Sequence, residues 1–398
     1  MARVLFLSLP LHGHTNQTLP VVRALVERGD EVTYYSAAPF ALKIEQAGAR
    51  YRPYRTAFLA DMTALPERIE ELSWLLTRAT AELLAQEDGP RAERPDYIIT
   101  DSIAPWGHWL GEMLRVPVVT SVSTFAINRH VLRYAVTHAA RPKSARLAWS
   151  KLKHIGKAIA LARRLRRQHG VKGPGITGLV FGRSNLNVVY TSREFQPCAD
   201  TFDERFQFVG PSLPAPSDGP SLLVEESNVP LVYVSLGTLF NAAPDFYRAC
   251  FTAFRDEPVR VIMSIGTNVP EAALGPPPAN VVVKPHVAQL DVLERASVFV
   301  THGGMNSVSE SLYHGVPVVV IPQMSEQAMV GQRAEELGAG MCLAKNQMTP
   351  EHLRASVNRL LSDGRFRRQA AVLAQSLRTA GGAARAADVI QAFASRRP

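Results

Sequence analysis

The chain has 398 residues, 46% hydrophobic and 20% charged, a balance that excludes a mainly disordered polypeptide and fits about two or three domains. Its formal charge of +9 belongs to one stretch: Met113 to Arg193 holds no Asp or Glu but 16 Lys and Arg, while outside it 28 basic residues face 35 acidic ones. A surplus so confined, without a recognised reading module or aromatic stacking motif, does not point to nucleic acid.

In chain order, residues 3–8 read as a buried strand and Leu9-Pro-Leu-His-Gly-His-Thr-Asn as a loop. A helix then runs to about Arg28, with Leu19, Val22, Leu25 and Val26 at helical spacing, and Gly29 ends it. Glu31-Val-Thr-Tyr-Tyr-Ser is the next strand, so the chain opens as a βαβ unit, which implies a parallel sheet. Strands follow at 97–101 and 116–121 with a helix near Pro105–Arg115 between them, and 186–190 closes this half. The stretch Gly210-Pro-Ser-Leu-Pro-Ala-Pro-Ser-Asp-Gly-Pro has the composition of a linker. Alternation then restarts, with strands at 231–235, 260–263, 281–283, 298–301 and 316–321. The organisation expected is an α/β protein of two facing Rossmann-like halves with parallel sheets. The first covers 1–212, a linker 213–228 follows, the second covers 229–380, and a terminal helical segment 381–398 ends the chain. Ligands of such sheets sit beyond the carboxyl ends of the strands, here in the cleft between the halves.

The three cysteines, Cys198, Cys250 and Cys342, are odd in number and far apart, so neither a disulfide framework nor a CxxC metal site is expected. No apolar run approaches the ~18–20 residues that cross a bilayer. The apolar start breaks at Pro10 with no small-residue cleavage site after it, which favours a buried first strand over a signal peptide, and a cytoplasmic protein is expected.

Three segments carry chemistry. Thr301-His-Gly-Gly-Met-Asn-Ser follows a strand and opens a helix, where glycines permit close approach and free N–H groups favour phosphate. Read alone, it also suits an ordinary capped strand–helix turn. Ser235-Leu-Gly-Thr ends another strand in the same way, with the same two readings. The first loop carries His12-Gly-His14. A histidine at a strand's carboxyl end suits a general base, and Asp101 at the end of another strand suits its orienting carboxylate. A metal pair and plain loop histidines are the competing readings. None of the 13 aspartates lies two residues from another, so the Asp-x-Asp metal signature is absent and no metal is expected.

Together, His12-Gly-His14, Ser235-Leu-Gly-Thr, His286-Val-Ala-Gln-Leu-Asp-Val-Leu, Thr301-His-Gly-Gly-Met-Asn-Ser-Val-Ser-Glu, Gly315-Val-Pro and Glu326-Gln327 resemble the family 1 UDP-glycosyltransferases, in the order and spacing of the bacterial macrolide-glycosyltransferase-like branch. The resemblance spans nearly the whole chain, strongest from Val281 to Leu343 and weak over 57–91 and 129–182. It implies the GT-B fold, with an acceptor-binding first domain, a donor-binding second domain and a last helix returning to the first. It implies inverting, metal-independent transfer of a hexose, glucose first, from a UDP-sugar co-substrate to a hydroxyl of a hydrophobic small molecule. By motif position His14 corresponds to the base and Asp101 to its partner. His302, Gly303, Gly304, Asn306 and Ser307 fall on the diphosphate site, with Thr238 assisting. Glu310 and Gln289 fall on ribose contacts, His286 where a Trp commonly stacks on the base, and Glu326 with Gln327 on the pair that holds sugar hydroxyls. His12 and Phe125 are placed in the acceptor pocket. Gln17 for the usual proline and His286 for Trp are departures, the second leaving uridine against thymidine open.

The basic residues of 141–172 interleave with Leu147, Trp149, Leu152, Ile155, Ile159, Leu161 and Leu165. This suits a solvated helix face, an entrance for acidic acceptors, or peripheral contact with an anionic membrane. Other readings are a nucleotide-sugar epimerase or lipid-acceptor transferase of the same fold, and a non-catalytic helper of a second transferase.

Overall fold

The computed structural model describes residues 1–62, 65, 71–138, 145–173, 184–214, 227–239 and 241–395. Thirteen strands among them form two all-parallel sheets. The first joins β1 (Arg3–Leu7), β2 (Glu31–Ser36), β3 (Arg50–Pro53), β4 (Tyr97–Asp101), β5 (Val118–Val122), β6 (Leu186–Val189) and β7 (Phe206–Phe208) in the order 3-2-1-4-5-6-7. The second joins β8 (Leu231–Ser235), β9 (Arg260–Ser264), β10 (Val281–Lys284), β11 (Val298–Thr301), β12 (Val318–Val320) and β13 (Gly340–Cys342) in the order 10-9-8-11-12-13. This is the architecture read from the sequence: two Rossmann-like units of the GT-B type.

The central strands are continuous apolar runs because helices cover both faces of each sheet. All five residues of β4 and of β8 are buried. The three strands absent from the sequence reading have weak signals. β3 is Arg-Tyr-Arg-Pro, a largely exposed edge strand, while β7 and β13 are three-residue pieces at the far edges. The strand expected over 316–321 is confined to Val318–Val320, after Pro317. The expected linker lies largely outside the described residues.

Both sheets reverse their strand order between two central strands, at β1/β4 and at β8/β11, and a crevice opens at the carboxyl end of such a switch point. The His12–His14 loop leaves β1 and Asp101 ends β4, while Ser235-Leu-Gly-Thr leaves β8 and His302-Gly-Gly leaves β11. The topology therefore puts all three chemical segments at switch points.

The halves share an apolar cluster. Val122, Phe125, Val131 and Phe195 of the first pack with Met329, Val330, Leu373 and Leu377 of the second. Arg333 donates to the carbonyls of Glu194 and Phe195 at 2.8 and 3.1 Å. The last helix, Gly382–Ser395, packs on Leu19–Glu27 and buries Ala386, Ala387 and Ile390 in the first sheet's core.

The basic segment forms the helix Ala145–His169, which packs along Leu72–Leu84. Ala158 and Leu165 are buried there, while Lys153, Lys157, Arg163, Arg164 and Arg167 are exposed. Ala158 and Leu165 thus turn toward the protein, while the described outward residues combine these charges with the exposed Ile155. Among the described residues no helix is long and apolar enough to cross a membrane.

Candidate active site

His14 lies in the single turn His12–Thr15 after β1. Its Nδ1 is 2.7 Å from Asp101 Oδ2 and 2.8 Å from Ser123 Oγ, just past β5. Asp101 is 1% exposed, and its Oδ1 accepts the Ile103 N–H at 2.9 Å, which fixes the carboxylate. Burial disfavours a charge on His14. The charge and hydrogen bond of Asp101, aided by the charge of Glu326, outweigh it and hold the imidazole above its ordinary value. Glu326 belongs to the other half, at the start of the helix Ser325–Glu336, where burial raises its carboxyl and His14 opposes. The His14–Asp101 pair of the first half thus lies within electrostatic reach of a carboxylate of the second.

On the second half, Gly303 turns the chain with φ +88°, and a Cβ there would meet Val320 Cγ1 at 2.5 Å and the Gln327 carbonyl at 2.9 Å. Gly237 (φ +73°) lies so close to His302 that its Cβ would fall 2.6 Å from the ring. Burial lowers His302 to about 4, so the ring is neutral near pH 7. The helix Met305–Tyr313 begins three residues after His302, and the first N–H groups of a helix, which lack intrahelical partners, suit an anion. Deeper in, Gln289 Nε2 donates to Glu310 Oε2 at 2.5 Å and Tyr233 OH donates to Gln289 Oε1 at 3.2 Å. Burial raises Glu310 to about 7, with the Gln289 bond acting against it. A hydrogen bond also crosses the cleft: Asn306 Nδ2 donates to the Gly13 carbonyl at 2.7 Å.

Among the described residues no group of three or more His, Cys, Asp or Glu is placed to hold a metal ion.

Residues 217–378 match the model of the family described as UDP-glucoronosyl and UDP-glucosyl transferase. The NDP-glycosyltransferase YjiC of Bacillus subtilis (strain 168) is 37% identical over 391 residues, 97% of this chain and 96% of that protein. The demethyllactenocin mycarosyltransferase of Streptomyces fradiae is 34% identical over 99% of this chain and 87% of its own. Among solved structures, the calicheamicin glycosyltransferase superposes with a TM-score of 0.81 at 30% identity, covering 100% of this chain and 99% of its own.

This chain belongs to the family 1 glycosyltransferases.

The transferase moves a sugar from a nucleotide-sugar donor to a small-molecule acceptor. Its sequence-predicted residues divide by location. His14 and Asp101 are in contact, and Gln289 with Glu310 forms a bonded pair. His302, Gly303, Gly304, Asn306 and Ser307 lie together at the turn between β11 and the helix Met305–Tyr313, and Thr238 is exposed just past β8. His286 is exposed after β10. Gln327 Oε1 accepts the N–H groups of Gln323 and Met324 at 2.8 and 3.1 Å, which ties the side chain to the loop just before Glu326. His12 stacks edge-on to Phe40 at 4.9 Å; burial, Lys43 and His286 all lower its pKa. Gln17 is buried.

Phe125 departs from its expected place in the acceptor pocket. It is 1% exposed, its ring centre 5.5 Å from that of Phe195, inside the core that joins the halves, and it offers an acceptor no surface. Two partners were not read from the sequence: Ser123 on His14 and Tyr233 on Gln289. A serine after a strand and a tyrosine within one are ordinary, so neither carries a local signal. Strand register could have found Ser123, since β5 places Ser121 beside Asp101.

Proposed function

We propose that this transferase moves a hexose, glucose first, from a UDP-sugar to a hydroxyl of a hydrophobic small molecule with inversion. The observation that carries the reading is the contact of His14 Nδ1 with Asp101 at 2.7 Å beside the cleft. With Nδ1 held, Nε2 is the nitrogen left for substrate. It takes the acceptor's proton while the oxygen attacks the anomeric carbon from the face opposite the diphosphate. The bond from that carbon to the diphosphate oxygen breaks, UDP leaves, and Asp101 stabilises the imidazolium. The diphosphate is assigned to the N–H groups opening Met305–Tyr313 with His302, Ser307 and Thr238, without a metal. A neutral His302 donates a hydrogen bond to it. Glu310 and Gln289 take the ribose hydroxyls, His286 the base, and Glu326 the sugar.

The relatives' names cover both an unspecified nucleotide sugar and a mycarosyl donor, so the sugar is the finer part of this proposal. The test is to incubate the protein with UDP-glucose, UDP-galactose and dTDP-glucose against a panel of phenols and macrolides. A glycoside of inverted anomeric configuration, made from UDP-glucose and lost by at least 100-fold in His14→Ala, is the expected result. No glycoside from any UDP-sugar overturns it, and sugar conversion with donor alone favours an epimerase.

A further inference from the structure

We propose that Ser123 is a positioning residue for the base: its Oγ shares the Nδ1–H of His14 with Asp101 and holds the imidazole plane so that Nε2 faces the acceptor. This rests on the reading of His14 as the base. The oxygens at 2.7 and 2.8 Å from Nδ1 come from different backbone elements, Asp101 ending β4 and Ser123 following β5. The two strands pair in parallel with Asp101 opposite Ser121, so Ser123 stands two residues further out, toward the cleft. His14 reaches them from the loop after β1, on the other side of β4.

A lone acceptor fixes the distance of a ring nitrogen but lets the ring swing about that contact. Asp101 offers only Oδ2 to the imidazole, because Oδ1 is held by the Ile103 N–H. The second contact therefore has to come from elsewhere, and Ser123 supplies it. The serine is 3% exposed, so water does not replace its hydroxyl. A three-centre N–H with two acceptors strengthens as the ring becomes cationic, so the hydroxyl favours the protonated state that transfer generates. The charged groups facing His14 are the carboxylates of Asp101 and Glu326, and both act in the same direction.

The experiment uses the full chain with UDP-glucose and 4-nitrophenol as probes, or whichever phenol the wild type glycosylates best. Ser123→Ala is expected to lower kcat about tenfold with the donor KM unchanged. The acid limb of its kcat profile moves to lower pH, because the imidazolium has lost an acceptor. Ser123→Thr keeps the hydroxyl and restores kcat to within about threefold, with the limb returned. Should the alanine variant not fold, Ser123→Cys, of similar volume and a weak acceptor, takes its place. Wild-type kcat and an unmoved limb in Ser123→Ala, with His14→Ala inactive, overturn the proposal alone. A folded Ser123→Thr as impaired as Ser123→Ala does so too. An active His14→Ala overturns the base assignment and the role of Ser123 with it.

Discussion

The state of His14 is set by burial acting against two carboxylates, and the sign of that contest gives a pH dependence. In the proposed reaction the neutral ring is the base. Its pKa lies above the ordinary 6.5, so activity is full at higher pH and is lost as pH falls through the raised value. Asp101→Asn removes the charge and the charge-assisted hydrogen bond while leaving burial in place. The pKa then drops, and the acid limb moves to lower pH. The plateau falls by about 10²–10⁴-fold, because an amide does not hold the Nδ1–H tautomer. A pH profile of kcat for the two proteins checks this, and a limb that stays put with a reduced plateau removes Asp101 as the source of the shift. Both residues were legible in the sequence, because a histidine just past one strand and an aspartate ending another converge when those strands neighbour. The contents of the acceptor side were not. Phe125 is one aromatic among 16 phenylalanines, and only packing shows that it lies between the halves rather than beside a ligand.

Strand–turn–helix units explain why the donor side reads so clearly. The turn after β11 needs a residue with positive φ and no side chain, and the surrounding atoms show how strictly. At Gly303 the obstacle is backbone as well as Val320, and a carbonyl within a packed turn has nowhere to move. Gly303→Ala is therefore expected to cost about 2–4 kcal/mol, from the left-handed conformation and the overpacking together. The loss should appear as a lower thermal midpoint and as weaker UDP binding by calorimetry, since the displaced turn carries His302 and the start of Met305–Tyr313. Wild-type values for both would show the turn to be more compliant than its contacts imply. Glycines of this kind leave a mark in sequence because no other residue substitutes for them. Short edge strands do not: β7 and β13 owe their existence to a neighbour already in place, and β3 carries two arginines and a proline. The helix Ala145–His169 had a visible charge pattern but not a visible partner. That partner is Leu72–Leu84, which packs along it.

The two halves are joined in a way that makes the end of the chain part of its beginning. The backbone crosses back at Gly382, whose N–H donates to the Val209 carbonyl at 2.6 Å, and the final helix then lies along Leu19–Glu27. Asp30 gathers this region: it accepts from Ala2 N–H at 2.9 Å, from Tyr97 OH at 3.3 Å and from Gln391 Nε2 at 2.9 Å. The more exposed Arg28–Asp388 pair at 2.8 Å adds little by comparison. Most of the attachment is apolar, and Ile390, 1% exposed, sits among Val4, Val21 and Tyr97 in the first half's core. Truncating it leaves a cavity, and Ile390→Ala is expected to destabilise that half by about 3 kcal/mol. The sequence supplies its own reporter, because all four tryptophans, Trp74, Trp106, Trp109 and Trp149, precede residue 150. Urea unfolding followed by tryptophan fluorescence therefore reads the first half alone. Its midpoint should fall on the order of 1 M for a change of this size, with Ile390→Val nearly unchanged. If the tryptophan transition of Ile390→Ala matches the wild type, the last helix is attached to the first domain without stabilising it.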